Sequence, residues 1–310
     1  WYNETLNTAT RGARKEFPAV AVIVAEEQTL TIYDGDDPDM PMWLVFDNTN
    51  SSGNALVATG ANRNWTSAQM FNGRLAVGMG YRDTTGMGID QVDFIIDGGW
   101  RIRTGGGSSY KGTYKGNIAQ RRDTTFNGIV LGTLVNETVN DVAMTVLPNA
   151  PIDSATGLPV PTIAVATAAN VSIIRDNGTV VDITYANYND ARNIYFNSKN
   201  HLIYSHYNSA TQSAAKVYYE IPSSDLANPQ GGYQRGAETV YYAKSGISPD
   251  INLGDTLHIS DISENSFGTS EKLILTDETT PPTSSMINFI ASDYNTGWMN
   301  GDIKLATLSD

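Results

Sequence analysis

The chain has 310 residues, 40% of them hydrophobic and only 17% charged, with 28 glycines and 12 prolines; this suits a turn-rich globular protein with a sizeable core and excludes a disordered chain. Its net charge of −13 and pI near 4.6 argue against nucleic acid or an anionic membrane as partner, since both are bound through clustered Lys and Arg. The absence of cysteine excludes a disulfide framework and thiolate metal sites, and points to a bacterial or viral source.

No apolar run reaches the roughly 18 residues of a membrane-spanning helix. The sequence opens on Trp1 with no signal-peptide pattern, and further residues are expected to precede it. Within residues 1–16, Leu6, Ala9 and Ala13, continuing to Phe17, recur at helical spacing behind Thr5 or Asn7 as a start signal. This predicts a short N-terminal helical segment that ends before Pro18.

From Phe17 onward the pattern is that of strands. Ala19 to Ala25 is an unbroken apolar run, as in a strand covered on both faces. Thr29 to Tyr33 and Met42 to Phe46 follow, separated by the acidic turn from Asp34 to Asp39. Next come Leu56 to Thr59, then Ser67 to Phe71 and Arg74 to Met79 joined by Asn72-Gly73. Asn-Gly is a hairpin signal because it accepts the positive φ angles of a tight turn. Val92 to Ile96 and Trp100 to Arg103 flank an expected turn at Asp97-Gly98-Gly99. Gly105 to Ser109 reads as a flexible loop. Ile129 to Val135 and Val142 to Leu147 form another pair. Residues 148–161 hold four prolines and are either a domain boundary or a long connection between repeats.

The clearest copy of a recurring strand-turn-strand module runs from Pro161 to Thr184. It predicts strands at Ile163 to Thr167, Val171 to Arg175 and Thr179 to Thr184, the last two joined by Asp176-Asn177-Gly178. Further strands are expected at Asn193 to Phe196, His201 to His206, Lys216 to Ile221, Thr239 to Ala243, Thr256 to Ser260, Glu271 to Thr276, Met286 to Ala291 and Ile303 to Leu308. Small sheets that repeat along a chain must stack on their neighbours to bury their faces. Residues 17–310 therefore read as one all-β domain, a β-propeller. A repeat of about 42 residues gives about seven blades; long insertions such as 104–125 reduce this to five or six. The similar apolar runs at Ala19 to Ala25, Thr162 to Ala166 and Met286 to Ala291 are expected to be equivalent innermost strands. The alternative is two β-sandwiches divided near residue 155.

The segment Val160 to Thr184 contains Ala164-Val165-Ala166-Thr167 and the run from Val171 to Asp182. It resembles repeats in the β-propeller regions of tailed-bacteriophage structural proteins, as does Ser292 to Asp310. The resemblance covers most of residues 17–310 and its motifs are structural. It implies a non-enzymatic tail or fibre component of the virion, an extracellular particle. The expected partners are other virion subunits, further copies of the chain and host-surface glycans. It carries no catalytic signature.

The residues themselves offer few sites. Asp34, Asp36, Asp37 and Asp39 form the densest acidic spot. Such a loop is either a solvated turn or a Ca²⁺ site, although its spacing is not that of an EF-hand. Asp293, Asn295, Asn300 and Asp302 form a second oxygen-rich loop, read first as a hairpin. His201 and His206 are an odd number of residues apart, so on one strand they face opposite sides, and no other cofactor is expected. No Gly-x-Ser-x-Gly elbow or phosphate loop occurs. The alternatives to a structural role are a secreted bacterial propeller glycoside hydrolase, using paired carboxylates, and a carbohydrate-binding adhesion module. The best binding clue is the concentration of Tyr204, Tyr207, Tyr218, Tyr219, Tyr233, Tyr241 and Tyr242. Such rings either fill cross-strand packing or stack on sugars.

Overall fold

The structure is a computed structural model that describes residues 7, 11–26, 29–47, 65–80, 88–96, 98–104, 110–113, 132–154, 156–185, 190–208, 212–218, 221–228, 234–235, 238–243, 260–263, 266–268, 272–275 and 286–289. These residues form an all-β protein of five small sheets that follow one another along the chain. The first sheet is β1 (Ala21–Ala25), β2 (Thr29–Asp34) and β3 (Met42–Asp47). The second is β4 (Trp65–Phe71), β5 (Arg74–Met79), β6 (Gly88–Asp93), β7 (Gly98–Ile102) and β8 (Tyr110–Thr113). The third is β9 (Val139–Thr145), β10 (Thr162–Thr167), β11 (Asn170–Ile174) and β12 (Val180–Tyr185). In the fourth, β13 (Asp190–Phe196), β14 (Leu202–Asn208) and β15 (Gln212–Tyr218) lead to β18 (Glu238–Ala243) and the short β17 (Gln234–Arg235). A short strand β16 (Leu226–Asn228) returns from the fourth region to pair in parallel with β12. The fifth is β19 (Ser260–Ser263), β20 (Ser266–Gly268), β21 (Lys272–Leu275) and β22 (Met286–Phe289). All other pairs are antiparallel, mostly between consecutive strands, as short hairpins demand.

The first four sheets stack face to face in sequence. In β5, Leu75, Val77 and Met79 point into a core shared with Leu30, Ile32 and Leu44 of the first sheet. Ala76, on the opposite face, joins Val142, Ile163 and Val165 of the third sheet. In β10, Ile163 and Val165 enter that second core, while Ala164 and Ala166 enter a third with Ala191, Ile194 and Leu202 of the fourth sheet. A strand that feeds two cores must be apolar at every position, which is why β10 reads as an unbroken run.

The first strands meet in series: β1 packs on β4, β4 on β9, β9 on β13, and β13 on β19. The apolar runs expected to be equivalent innermost strands are not equivalent. They stand first (β1), second (β10) and last (β22) in their sheets, and β1, expected to be covered on both faces, is only partly buried while β10 is buried throughout. The division near residue 155 is also overturned. Residues 146–161 connect β9 to β10, adjacent strands of one sheet, and carry their own isolated bridge between Ile152 and Pro159.

The helix expected over residues 1–16 is absent from the described part, Asn7 and 11–16. Arg11 bridges to Leu44, and the Gly12 amide donates to the Trp43 carbonyl at 2.9 Å. The segment thus covers the open edge of β3 as an extended strap. A Cβ on Gly12 would lie 1.9 Å from the Met42 carbonyl oxygen, so the approach requires glycine. The Arg11 guanidinium is fully buried 4.3 Å from the centroid of the Trp43 ring and donates to the carbonyls of Trp43 and Lys15. These backbone and cation–π contacts outweigh the helical spacing.

The two Asn-Gly hairpins differ. Asn72 and Gly73 both have positive φ, as in a two-residue type I′ turn, with Phe71 opposite Arg74. At the second, only Gly178 is left-handed: its amide donates to the Arg175 carbonyl, and the Asn177 side chain accepts from Thr179. The turn expected at Asp97-Gly98-Gly99 falls earlier, over 94–96, because the Asp93 carboxylate accepts the amides of Ile95 and Ile96 and sets the bend there. Gly98 and Gly99 consequently lie in β7. Residues 132–135 are not a strand, and the strands expected at Leu56 to Thr59 and Ile303 to Leu308 lie outside the described residues.

Candidate functional site

The seam where the first strands meet is held by polar side chains. As an edge strand, β9 would leave backbone N–H groups unpaired. The Val142 amide is instead accepted by the Ser67 hydroxyl at 3.3 Å, and the Met144 amide by the Gln69 carboxamide oxygen, both from β4. The Thr66 hydroxyl donates to the Val139 carbonyl at 2.8 Å. The arrangement recurs one sheet further on. Asp141 of β9 accepts the Ile194 amide of β13 at 2.9 Å, and Asn140 donates to the Ala191 carbonyl and the Asp190 carboxylate. Burial pushes the Asp141 carboxyl above its ordinary range, opposed by hydrogen bonds from Ser67, Ile194 and Val142. Sequence reading missed these residues because Ser, Gln, Asn and Asp within strands look like solvent-facing positions. The available signal was polar side chains at the start of strands that open a new sheet.

The acidic turn is organised around a protein cation. Asp34 is buried and receives the Arg14 guanidinium at 2.7 and 2.8 Å on its two oxygens; Asp36 receives the same nitrogen at 2.9 Å. Asp36 also accepts the amides of Ala19 and Val20 at 2.8 and 2.9 Å. The Ala19 bond is the largest influence holding its carboxyl below the ordinary range, with Val20 and Arg14 adding to it against partial desolvation. Asp37 accepts the Asp39 amide within an exposed turn. A Ca²⁺ here would have to displace Arg14. Among the described residues no group of three or more His, Asp or Glu is placed to hold a metal. The second oxygen-rich loop, Asp293 to Asp302, lies outside them.

The described tyrosines of the expected cluster lie on neighbouring strands of the fourth sheet. Tyr204 is 1% exposed inside the core between the third and fourth sheets, so it stacks on no ligand there. Tyr207 lies on β14, Tyr218 on β15, and Tyr241 and Tyr242 on β18. Tyr219 and Tyr233 fall outside the described residues. His201 is buried in the turn before β14, its ring against Asn197.

Two inter-sheet openings lie among the described residues. A groove of about 660 Å³ between the first and second sheets is walled by Phe17, Trp43, Met70, Phe94 and Ile95, with Lys15 and Asn72 at its lining. The second, about 350 Å³, lies between the second and third sheets. One wall is Trp100, with the Arg74 guanidinium 5.4 Å from its ring centroid. Arg74 is held by Asp93 at 3.0 Å and reaches across the junction to Asp153 at 2.6 Å. The opposite wall is the 175–178 hairpin. Two polar groups line this cleft. The Gln91 side chain is 7% exposed, and the buried Arg175 Nε has no partner, although its Nη1 reaches the Ser223 carbonyl. The combination of an aromatic wall, apolar floor and a few convergent polar groups is that of a small-molecule site.

No known family's sequence profile matches the chain, and no curated protein is similar to it. Among solved structures it is similar to a protein of unknown function from Bacteroides caccae, at 8% identity over 82% of this chain and 81% of that one, with a TM-score of 0.32. So loose a likeness establishes neither fold nor function.

Proposed function

We propose that the chain is a rigid β-propeller module of a bacteriophage virion, a non-enzymatic tail or fibre component that contacts other subunits and host-surface glycans. The observation that carries the propeller reading is the seam. Successive antiparallel sheets meet through their first strands, and side chains of one sheet cap the backbone of the next. That arrangement fits blades around an axis, and continued round a ring it gives five to seven of them. The virion assignment rests on the resemblance of Val160 to Thr184 and Ser292 to Asp310 to phage propeller repeats. Function would then reside in loops and inter-blade clefts on a scaffold stiff enough to present them without an ordering cost.

The test is electron microscopy of the intact particle at a resolution that traces the chain. Copies in a symmetric array against other virion proteins support the reading. A free monomer with carboxylates converging on an open axial pocket would instead favour glycan hydrolysis.

A further inference from the structure

We propose that the cleft between the second and third sheets is a saccharide site that takes one neutral hexopyranose unit of a glycan. This inference rests on the glycan-binding part of the reading above and names the place and chemistry of that contact.

Three observations lead to it. The first is size: about 350 Å³ lies at the small end of ligand pockets, which start at roughly 300 Å³, and suits a single ring better than an extended chain. The second is a pair of polar groups. A primary amide carries both donors and an acceptor, and a buried N–H donor left unpaired is costly. Gln91 lines the cleft together with Arg175, whose buried Nε is bare. Adjacent ring hydroxyls, each donor and acceptor at once, match an amide beside an N–H donor. Trp100 and Ile174 supply an apolar wall for the C–H groups of the ring.

The third observation is charge. Arg74 is neutralised by Asp93 and Asp153, and Arg175 shares its hairpin with Asp176. Two cations set against three carboxylates leave no positive surplus, so the cleft has nothing to draw in a uronate, sialate or phosphate. A neutral sugar is the polyol that fits.

The test is ligand-observed saturation-transfer NMR on the purified full chain. The probes are the methyl glycosides of glucose, galactose and mannose, with methyl glucuronide as the acidic comparison, each to roughly 50 mM, far above a millimolar dissociation constant. Saturation transfer to at least one neutral glycoside is expected, with binding weakened roughly tenfold or more in Gln91→Met and in Arg175→Met. Arg175 is half-exposed, so its variant keeps the test valid if the buried Gln91 variant does not fold. The proposal is overturned if no neutral glycoside binds, if the glucuronide binds best, or if binding survives in the folded variants. Failure here leaves the virion reading standing if particle imaging finds the chain in the virion. Conversely, binding to the cleft stands even if imaging does not find it there.

Discussion

Gly78 is the sharpest probe of how the sheets meet. It lies on β5, and a Cβ built on it would come 2.5 Å from Val139 Cγ1 on β9, the first strand of the next sheet, and 3.3 Å from Thr66 Oγ1. Carbon atoms in good contact sit about 3.5–4.0 Å apart, so Gly78→Ala needs roughly 1 Å of relief. Val139 is fully buried and its carbonyl is held by Thr66, so it has little room to move. Overpacking of this kind costs about 1–3 kcal/mol, offset by about 0.5–1 kcal/mol from removing a glycine from a strand. The expected net loss is ~1–2 kcal/mol. In a Val139→Ala background the offending methyl is gone, so Gly78→Ala becomes neutral or stabilising, with a coupling energy of ~1–2 kcal/mol within the range for touching residues. Urea unfolding followed by tryptophan fluorescence measures all four corners of the cycle. A Gly78→Ala cost that is the same in both backgrounds would refute the packing of the second sheet on the third.

Three further outcomes follow from the buried polar groups. Arg101 and Asp90 form a buried bidentate pair at 2.7 and 2.8 Å; Arg101→Met alone should cost about 3–5 kcal/mol in urea unfolding, while Arg101→Met with Asp90→Leu should recover most of it. The Asp36 carboxyl is held below its ordinary range, so its stabilisation is present above that range and disappears as pH falls through the lowered value; Asp36→Asn should flatten the acid limb of a melting-temperature profile and leave neutral stability only moderately changed. Burial, with nearby Asp225 adding to it, pushes the Asp182 carboxyl up despite a hydrogen bond from Ser172. Its contribution is therefore favourable below the ordinary carboxylate range and is lost as pH rises through the raised value. Asp182→Asn should match the parent in acid and gain on it at neutral pH; a gain confined to acid would contradict this.

The elements legible in the sequence are those fixed by local chemistry. Arg74 to Met79 is a strand at those bounds because Asn72-Gly73 closes its hairpin. Thr162 to Tyr185 forms the expected three strands because apolar runs alternate with turn residues. Long-range partners account for the departures. Residues 11–16 carry a helical spacing, yet the open edge of β3 gains more from an extended strap. Asp93 moves a turn by accepting two amides ahead of a Gly-Gly pair that looked like the better bend. The proline-rich stretch before Pro161 resembles a boundary, but β9 and β10 pair across it. The candidate site was the least legible. Gln91, Trp100 and Arg175 come from two sheets far apart in the sequence, and no spacing rule links them. The acidic turn was visible as a cluster, whereas Arg14, the cation that organises it, lies 20 residues before Asp34.

The central claim is that successive sheets meet through their first strands, with side chains capping backbone groups where β4 meets β9 and β9 meets β13. A chain-traced electron-microscopy reconstruction tests it most directly. The account predicts β1, β4, β9, β13 and β19 innermost around one axis, with Ser67 against the Val142 amide and Asp141 against the Ile194 amide. First strands lying on the outside, or sheets paired into separate sandwiches, would contradict it.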